Sequence, residues 1–330
     1  MPLLRIALAI YAGAALIATS LTAQAQAPPA PSAAAGDFAG LVNIGDRRLY
    51  LECRGKGSPT VILEAGYRSS ARLWSEDLHP SGAPRTMVFA GAAAFTHVCA
   101  YDRPGTTADQ NGRILPSRSD PVTQPRTATH AISDLHALLH VARVPGPYIL
   151  AAHSLGGLFA RLYASRYPDE VVGLVLIDAY SERLETLMTP ERWQALVNLN
   201  VQLATDKVVP IPGYGDLETM GYGTDNPTMR QAAAATPLRP IPLAVLAHGR
   251  RFAVPEKLQE FPSDTLERIL RAANEDLATL APNARFFVAE NSGHDIHQNQ
   301  PELVTEAIRQ VVAGVRNRDT WYDLTSCCAK

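Results

Sequence analysis

The stretch Tyr148-Ile149-Leu150-Ala151-Ala152-His153-Ser154-Leu155-Gly156-Gly157 decides how the fold of this chain is interpreted. An apolar run ends abruptly at a serine whose second neighbours, Ala152 and Gly156, are very small. A strand that turns sharply into a helix strains the backbone at one residue, and larger side chains two positions away would collide across the turn. The pattern therefore predicts a serine nucleophile, Ser154, at a tight strand-to-helix turn.

The flanking residues supply the strand and the helix that such a turn requires. Residues 148–152 form a short apolar run introduced by Pro145-Gly146-Pro147. After the serine, apolar residues recur at helical spacing until Tyr167-Pro168 ends the pattern. A tight packing turn with a serine that has no catalytic role would show the same local sequence. The role of Ser154 therefore depends on whether the rest of the chain supplies its partners.

The composition is that of an ordinary globular protein. The chain has 330 residues, of which 46% are hydrophobic and 19% charged, and it can bury a large core. Its formal net charge is -2 and it has no cluster of Lys or Arg. We therefore expect neither nucleic acid nor an anionic membrane surface as a partner.

The N-terminus has the pattern of a cleavable secretory signal. A basic residue precedes an apolar stretch over 6–21, and small residues then occupy the -3 and -1 positions of a cleavage site after Ala25. We predict a signal peptide over 1–25, a flexible leader over 26–37, and a periplasmic or secreted mature protein without a membrane span. An uncleaved anchor is the alternative, although the apolar run is marginal for a span of roughly 20 residues.

The four cysteines of an exported chain suggest an oxidised pair. Cys53 and Cys99 both lie in predicted strands, whereas Cys327 and Cys328 are neighbours in the tail and could bond to each other only with strain. We predict a disulfide between Cys53 and Cys99, with two buried thiols as the alternative.

No spacing of cysteines and histidines resembles a metal site, so we predict none. The histidines concerned share one predicted helix or one predicted loop: His130, His136 and His140 in the helix, and His294 and His297 in the loop.

Hydrophobic runs bounded by turn signals predict eight strands. The first two form a hairpin, and the later strands alternate with helices, which is typical of a parallel sheet covered on both faces. The predicted strands are 41–44, 48–53, 60–64, 96–102, 148–152, 172–178, 242–247 and 285–289, with helices near 127–141, after Ser154, and near 265–280 and 301–315. The alternation lapses over 180–240, which we interpret as an insertion. The core is then 38–179 and 241–317, followed by a tail over 318–330.

A serine hydroxyl reacts only when a base removes its proton and an acid orients that base. Open α/β sheets carry such groups at the carboxyl ends of their strands. His294 is the best base because it follows the last strand and precedes the last helix. His248, after the penultimate strand, is second and His297 third, whereas the side chain of His153 would point away from the reacting group.

The chain resembles the α/β-hydrolase family over residues 38–316. Ala152-His153-Ser154-Leu155-Gly156 matches the family's nucleophile elbow, with alanine in place of the usual glycine. Tyr101-Asp102-Arg103-Pro104-Gly105 matches the segment after the fourth strand, and Ser292-Gly293-His294 matches the histidine loop. Thr107 departs from the pattern, because a glycine commonly recurs there. The resemblance implies an α/β fold with a mostly parallel eight-stranded sheet, helices on both faces and a helical cap after strand six.

The resemblance also implies an oxyanion hole built from the backbone N–H groups of Leu155 and Tyr67. The Leu155 amide lies at a helix N-terminus, where unpaired donors and the helix dipole favour negative charge. Ala65-Gly66 stands where the family usually has His-Gly, and Gly66 permits a close backbone approach. An ordinary connecting loop over 64–68 is the alternative.

The acid departs from the common family pattern. Residues 248–255, after the seventh predicted strand, contain no carboxylate. Asp178 ends the apolar sixth strand, where a charged group needs a partner such as a histidine, and some family members take their acid from this strand. We expect Asp178 to orient His294, with Glu182 and Asp264 as fallback acids. A helix cap or loop contact is the alternative role of Asp178.

The insertion at 180–240 looks like the family's cap over the site. Its aromatic and methionine side chains suggest an apolar acyl pocket, although packing of the cap on the core would use the same residues. The predicted substrate-binding residues are Tyr214, Met220 and Tyr222.

These predictions describe an exported serine hydrolase of the carboxylesterase type. Ser154, His294 and Asp178 would form its triad and act on a small-molecule apolar ester through an acyl-enzyme, with no cofactor. Serine at the elbow argues against dehalogenase and epoxide-hydrolase chemistry, whose family relatives use aspartate there. Lactones, thioesters and aminoacyl amides stay open as substrates, as does a non-catalytic binding protein of the same fold. The sequence indicates no oligomeric state.

Overall fold

One eight-stranded sheet organises the chain in the computed structural model, which describes residues 36–78, 80, 82–206, 216–219, 221–251 and 263–322. The strands are β1 (Phe38–Asn43), β2 (Arg48–Arg54), β3 (Thr60–Glu64), β4 (Val98–Tyr101), β5 (Thr107–Gln110), β6 (Arg113–Pro116), β7 (Tyr148–His153), β8 (Val171–Ile177), β9 (Leu243–His248) and β10 (Arg285–Ala289). The helices are α1 (Arg72–Ser75), α2 (Val88–Ala93), α3 (Ala128–Val141), α4 (Gly156–Arg166), α5 (Leu184–Leu187), α6 (Pro190–Asp206), α7 (Tyr222–Ala235), α8 (Ser263–Leu277), α9 (Ile296–Asn299), α10 (Pro301–Arg316) and α11 (Arg318–Tyr322).

The strands of this sheet run in the order β1-β2-β4-β3-β7-β8-β9-β10. β2 is antiparallel to both β1 and β4, and every later neighbour pair is parallel. The central strands β3, β7 and β9 are buried along their whole length, as strands covered on both faces must be. The predicted mostly parallel eight-stranded sheet is confirmed.

Helices cover both faces of the sheet, and β7 shows how the two cores are divided. Successive side chains of a strand point to opposite faces. Leu150 and Ala152 pack with α3 and α4 on one face. Ile149 and Ala151 pack with α2 and α10 on the other. The strand that leads to Ser154 is therefore fixed from both sides.

Cys53 and Cys99 lie directly opposite each other on the antiparallel strands β2 and β4 and form the predicted disulfide. Both side chains are completely buried. Cys327 and Cys328 lie outside the described residues.

The two-stranded sheet of β5 and β6 lies outside the predicted elements. Its turn is Asn111-Gly112, with φ of 54° and 84°, and an Asn-Gly pair is a strong hairpin signal. Thr107, the departure from the family pattern, begins β5, and its N–H donates to the carbonyl of Arg68 at 2.7 Å. The loop after β4 is thereby bound to the loop after β3.

Helices α5, α6 and α7 occupy the predicted insertion between β8 and β9. Met229 of α7 is buried in the core beside α4, while Leu184 and Met188 pack with α8 residues. Residues 207–215 and 220 lie outside the described part of the chain, so a cap closing over the site stays a prediction.

The two ends of the chain differ in what the structure covers. The predicted signal peptide and residues 26–35 of the leader lie outside the described residues. Within the described ranges, no helix is both long and apolar enough to cross a membrane. At the other end, Trp321 of α11 is buried, so the packed core continues into the segment predicted as a tail.

Candidate active site

Ser154 lies on the sharp turn between β7 and α4, with a φ of 51° that is strained for a residue with a side chain. Its N–H donates to the carbonyl of Ile177 at 3.1 Å, and its carbonyl accepts from the N–H of Tyr180 at 2.8 Å. The turn is thereby fixed to the end of β8 on both sides of Asp178.

Close backbone approach explains the small residues around the turn. A Cβ on Gly156 would lie 2.6 Å from the carbonyl oxygens of Glu64 and Ala65, at the end of β3. A Cβ on Gly66 would lie 2.9 Å from Nδ1 of His153. The space at Gly156 is therefore needed for the neighbouring strand as well as for the turn itself.

Asp178 and His294 meet at the carboxyl ends of the strands. Oδ2 of Asp178 lies 2.6 Å from Nδ1 of His294. The carboxylate is almost fully buried, whereas the side chain of His294 is 32% exposed. The structure thus brings together the two residues that the sequence proposes as acid and base.

The other carboxylate oxygen of Asp178 is bound by His248. Nδ1 of His248 lies 2.8 Å from Oδ1 of Asp178, and Nδ2 of Asn274 lies 3.4 Å from the same oxygen. Nε2 of His248 lies 3.0 Å from Oε2 of Glu267. His248, the second candidate base, is therefore buried between two carboxylates, and this role was not apparent from the sequence.

These contacts shift the protonation equilibria of the three groups. Burial opposes ionisation of Asp178, but hydrogen bonds from His248 and His294 outweigh it and hold the pKa of Asp178 well below its ordinary value. Burial also opposes the charging of His294, but the hydrogen bond to Asp178 outweighs it and raises the pKa of His294. The arrangement therefore stabilises the protonated form of His294, which is what a serine nucleophile would require of its base.

Two further histidines lie behind His294. His153 places Nε2 3.0 Å from the His294 carbonyl oxygen, with ring centroids 4.6 Å apart. The ring centroid of His297 lies 4.3 Å from that of His153 and 4.8 Å from that of Trp74. Burial lowers the pKa of both His153 and His297, that of His297 to about 4, so both are neutral at neutral pH. They support the histidine loop from behind.

The fallback acids have cationic partners of their own. Glu182 is buried and binds Arg161 at 2.6 Å. Asp264 lies on the surface, 2.6 Å from Arg251.

The loop proposed to carry one oxyanion donor is held by a buried arginine. Arg103 donates from Nη1 to the carbonyl of Ala65 at 2.9 Å and from Nη2 to the carbonyl of Gly66 at 2.6 Å. These contacts fix the backbone directly before Tyr67. Leu155 stands at the N-terminal end of α4, where helix amides lack intrahelical acceptors.

The insertion contributes Glu218 to the same network. Arg103 binds Glu64 and also Glu218, whose Oε1 lies 2.7 Å from Nε of Arg103. Oε2 of Glu218 accepts the backbone N–H of Arg68 at 2.7 Å, so the glutamate contacts the residue after Tyr67. Arg103 lies within a motif that the sequence reveals, but nothing local marks Glu218 as its partner.

Of the predicted substrate-binding residues, Tyr214 and Met220 lie outside the described part of the chain. Tyr222 begins α7, and its ring centroid lies 5.5 Å from that of Tyr180 and 5.6 Å from that of Trp193. These three residues form an aromatic cluster of Tyr180, Trp193 and Tyr222, and the backbone N–H of Tyr180 binds the Ser154 carbonyl at the turn.

Comparison with known proteins relates most of the chain to one protein family. Residues 61–307 match the model of the alpha/beta hydrolase family. The uncharacterized protein YqjL of Bacillus subtilis (strain 168) is 26% identical over 262 residues, covering 78% of this chain and 85% of that protein. An AB hydrolase superfamily protein of Gibberella zeae is 23% identical over 321 residues, covering 82% and 92%.

Solved structures show the same fold at lower identity. A thermophilic esterase from Thermogutta terrifontis has a TM-score of 0.52 at 18% identity, covering 85% of this chain and 99% of that one. Est816, described as an N-acyl homoserine lactone degrading enzyme, has a TM-score of 0.51 at 18% identity, covering 82% and 99%. The haloalkane dehalogenase DatA from Agrobacterium tumefaciens C58 has a TM-score of 0.54 at 15% identity, covering 85% and 98%.

Proposed function

We propose that this chain, which belongs to the α/β-hydrolase family, is a serine hydrolase that cleaves a small apolar ester. The observation that carries the proposal is the 2.6 Å hydrogen bond between Asp178 and Nδ1 of His294, beside the strained turn at Ser154. A buried, ionised carboxylate at that nitrogen leaves Nε2 of His294 as the basic atom, and it stabilises the cation that forms when the serine loses its proton.

The reaction has two steps. Ser154 attacks the ester carbonyl while His294 takes the hydroxyl proton, and the N–H groups of Leu155 and Tyr67 stabilise the oxyanion. His294 then gives its proton to the departing alcohol, which leaves an acyl group on Ser154. A water molecule, deprotonated by His294, attacks this acyl-enzyme. When the resulting intermediate collapses, the serine oxygen leaves and takes the proton back from His294, which releases the carboxylic acid and restores Ser154.

The aromatic cluster of Tyr180, Trp193 and Tyr222 supports an apolar substrate. One member, Tyr180, is bound to the turn that carries Ser154 through its backbone N–H, and the cluster would contact the acyl or alcohol group of the ester. Apolar side chains with a few convergent polar groups are the usual lining of small-molecule sites. Tyr214 and Met220 lie outside the described residues and stay predictions from the sequence as further substrate-binding residues.

The proposed place of action is the periplasm or the extracellular medium. The signal pattern at residues 1–25 and the disulfide between Cys53 and Cys99 both support export, because disulfides persist in oxidising compartments. N-terminal sequencing of the exported protein tests this part, and a mature chain that still begins near Pro2 would contradict it.

A fluorophosphonate probe tests the nucleophile, since it phosphonylates only an activated serine. We expect one adduct per chain, located at Ser154 by peptide mass spectrometry. The adduct should be absent in Ser154→Ala and retained in Ser58→Ala, a change at an exposed serine. An unlabelled wild-type protein would exclude a serine hydrolase and favour a binding protein of the same fold.

A substrate panel tests the bond that is cleaved. We expect p-nitrophenyl esters of short and medium acids to be hydrolysed faster than lactones, thioesters or aminoacyl anilides. Labelling of Ser154 combined with a preference for lactones or anilides would keep the nucleophile and replace the proposed ester.

A further inference from the structure

A second group of titratable side chains joins α3 to the segment before β8. His136 and His140 are four residues apart and therefore lie on the same face of α3. Nε2 of each histidine lies 3.1 Å from the same atom, Oε1 of Glu170. Three potential ligand atoms from two different elements thus converge at one point.

This group is remote from the proposed active site. Glu170 directly precedes β8, and its carbonyl accepts the N–H of Tyr148, the first residue of β7. Ser154 follows the other end of β7, a strand of six residues. At 3.2–3.4 Å per residue the two sites lie roughly 20 Å apart, at opposite ends of the sheet.

The separations suit a tetrahedral metal ion. With metal–ligand bonds of about 2.0–2.1 Å, tetrahedral geometry requires ligand atoms about 3.3–3.4 Å apart, close to the two observed separations of 3.1 Å. Two histidines four residues apart on one helix face are a known way to chelate zinc. All three ligand atoms lie within 4.8 Å of one another, so only small side-chain movements are needed.

The surrounding residues orient the ligands. Tyr163 donates its hydroxyl to Oε2 of Glu170 at 2.6 Å, which leaves Oε1 directed at the histidines. The ring of His136 stacks on that of Tyr167, with centroids 3.9 Å apart and planes 10° apart. Partners that fix a carboxylate or an imidazole in this way commonly accompany metal ligands.

The exposure of the group also suits a bound ion. The side chain of His140 is 59% exposed, which leaves room for solvent as a fourth ligand.

We propose that His136, His140 and Glu170 form a binding site for a divalent transition metal, with zinc the best fit. Two imidazole nitrogens and one carboxylate oxygen supply three ligands, and water completes the tetrahedron. Imidazole ligands disfavour Ca²⁺ and Mg²⁺, which prefer all-oxygen sites. The ion would cross-link α3 to the start of β8 and stabilise the folded protein without taking part in the reaction at Ser154.

The third ligand, Glu170, lies outside α3, which is why the spacing of cysteines and histidines alone predicted no metal site. His136 and His140 are visible as a helical pair, but Glu170 lies 30 or more residues further along the chain.

Zinc binding by the metal-free, untagged protein tests the proposal. Isothermal titration with ZnCl₂ should give one equivalent per chain, and the midpoint of thermal unfolding should rise with the zinc concentration. Co²⁺ should give the strong visible absorption bands of a tetrahedral site. His140→Gln and Glu170→Gln should each abolish these signals, whereas His130→Gln, a change on the same helix outside the cluster, should preserve them.

The variants separate this site from the proposed active site. Circular dichroism of each variant checks that it folds, and Glu170→Gln can still accept the hydroxyl of Tyr163. Ester hydrolysis and fluorophosphonate labelling should be unchanged in all three variants. Failure of the wild-type protein to bind zinc would overturn the proposal. So would binding that persists in the His136→Gln/His140→Gln double variant, a result that would point to His153, Asp295 and His297 instead.

Discussion

The carboxylate of Asp178 lies 2.6 Å from Nδ1 of His294, which puts the acidic partner of this histidine at the end of β8 rather than after β9. The end of β9 contributes His248 to the other oxygen of the same carboxylate. The neighbouring strands β8 and β9 therefore end in Asp178 and His248, and the carboxylate of Asp178 is bound by a histidine at each oxygen.

The first prediction concerns Asp178→Asn. The amide cannot stabilise the imidazolium and favours the wrong tautomer of His294, so kcat should fall by about 10⁴. KM should change little, because Asp178 is buried away from the substrate. Steady-state hydrolysis of a p-nitrophenyl ester measures both. Glu182→Gln is the matched control, because Glu182 binds Arg161 rather than a histidine. Near-normal turnover by Asp178→Asn would remove Asp178 from the proposed triad.

The second prediction is the pH dependence of kcat/KM. The raised pKa of His294 means that the neutral, basic form is present only above that pKa, so activity should be lost as the pH falls through it. The acidic limb should therefore have its midpoint above about 6.5, the ordinary value for histidine. In Asp178→Asn the residual activity should show this limb at lower pH, because the stabilising carboxylate is gone. A limb that does not move between the two proteins would contradict the assigned partnership.

Local features of the sequence account for the parts of the site that could be predicted. Asp178 stands out as a charged residue at the end of an apolar strand, and His294 as a histidine in the loop after the last strand. The position of His248 is just as suggestive, yet its role depends on which carboxylates its ring meets, and those are Asp178 and Glu267. Contacts of this kind become visible only when the strand order is known.

The same distinction applies to the fold. The central strands of the large sheet could be predicted because burial on both faces requires continuous apolar runs. The hairpin of β5 and β6 has mostly half-exposed residues and no apolar run, so only the turn at Asn111-Gly112 signals it. Arg103 and Glu218 lie 115 residues apart in the sequence. The residues around each of them give no sign that the two side chains pair.

The third prediction concerns the disulfide. In the chain-entropy description, a cross-link between residues 46 positions apart stabilises the folded state by about 4 kcal/mol. The Cys53→Ala/Cys99→Ala variant should lose roughly 2–5 kcal/mol of its free energy of unfolding, measured by urea titration. Adding a reductant to the unfolding experiment should lower the midpoint of the wild-type protein and leave that of the variant unchanged. Equal free energies of unfolding for the variant and the wild-type protein without reductant would refute this contribution.

The fourth prediction concerns Glu218→Ala. Glu218 connects the insertion to Arg103 and accepts the N–H of Arg68, so its loss should loosen the loop that carries Tyr67. Arg103 keeps its contacts with Glu64, Ala65 and Gly66, and the loop should be displaced rather than unfolded. We expect kcat to fall by roughly 10–100-fold, less than the 10²–10³ that removal of an oxyanion donor costs.

The control for this prediction is another glutamate of the insertion. Glu185 pairs with Arg230, and its Oε2 also accepts from Nδ2 of the buried Asn226 at 3.1 Å. Glu185→Gln keeps an acceptor for Asn226 and loses a partly exposed ion pair that contributes about 0–1 kcal/mol, so it should keep its kcat and its midpoint of thermal unfolding. The rate of fluorophosphonate labelling provides a second readout, because the probe also develops charge on the oxygen that Tyr67 and Leu155 are proposed to hold. Slower labelling in Glu218→Ala than in Glu185→Gln would assign the effect to the oxyanion loop. Equal rates would limit Glu218 to holding the insertion in place.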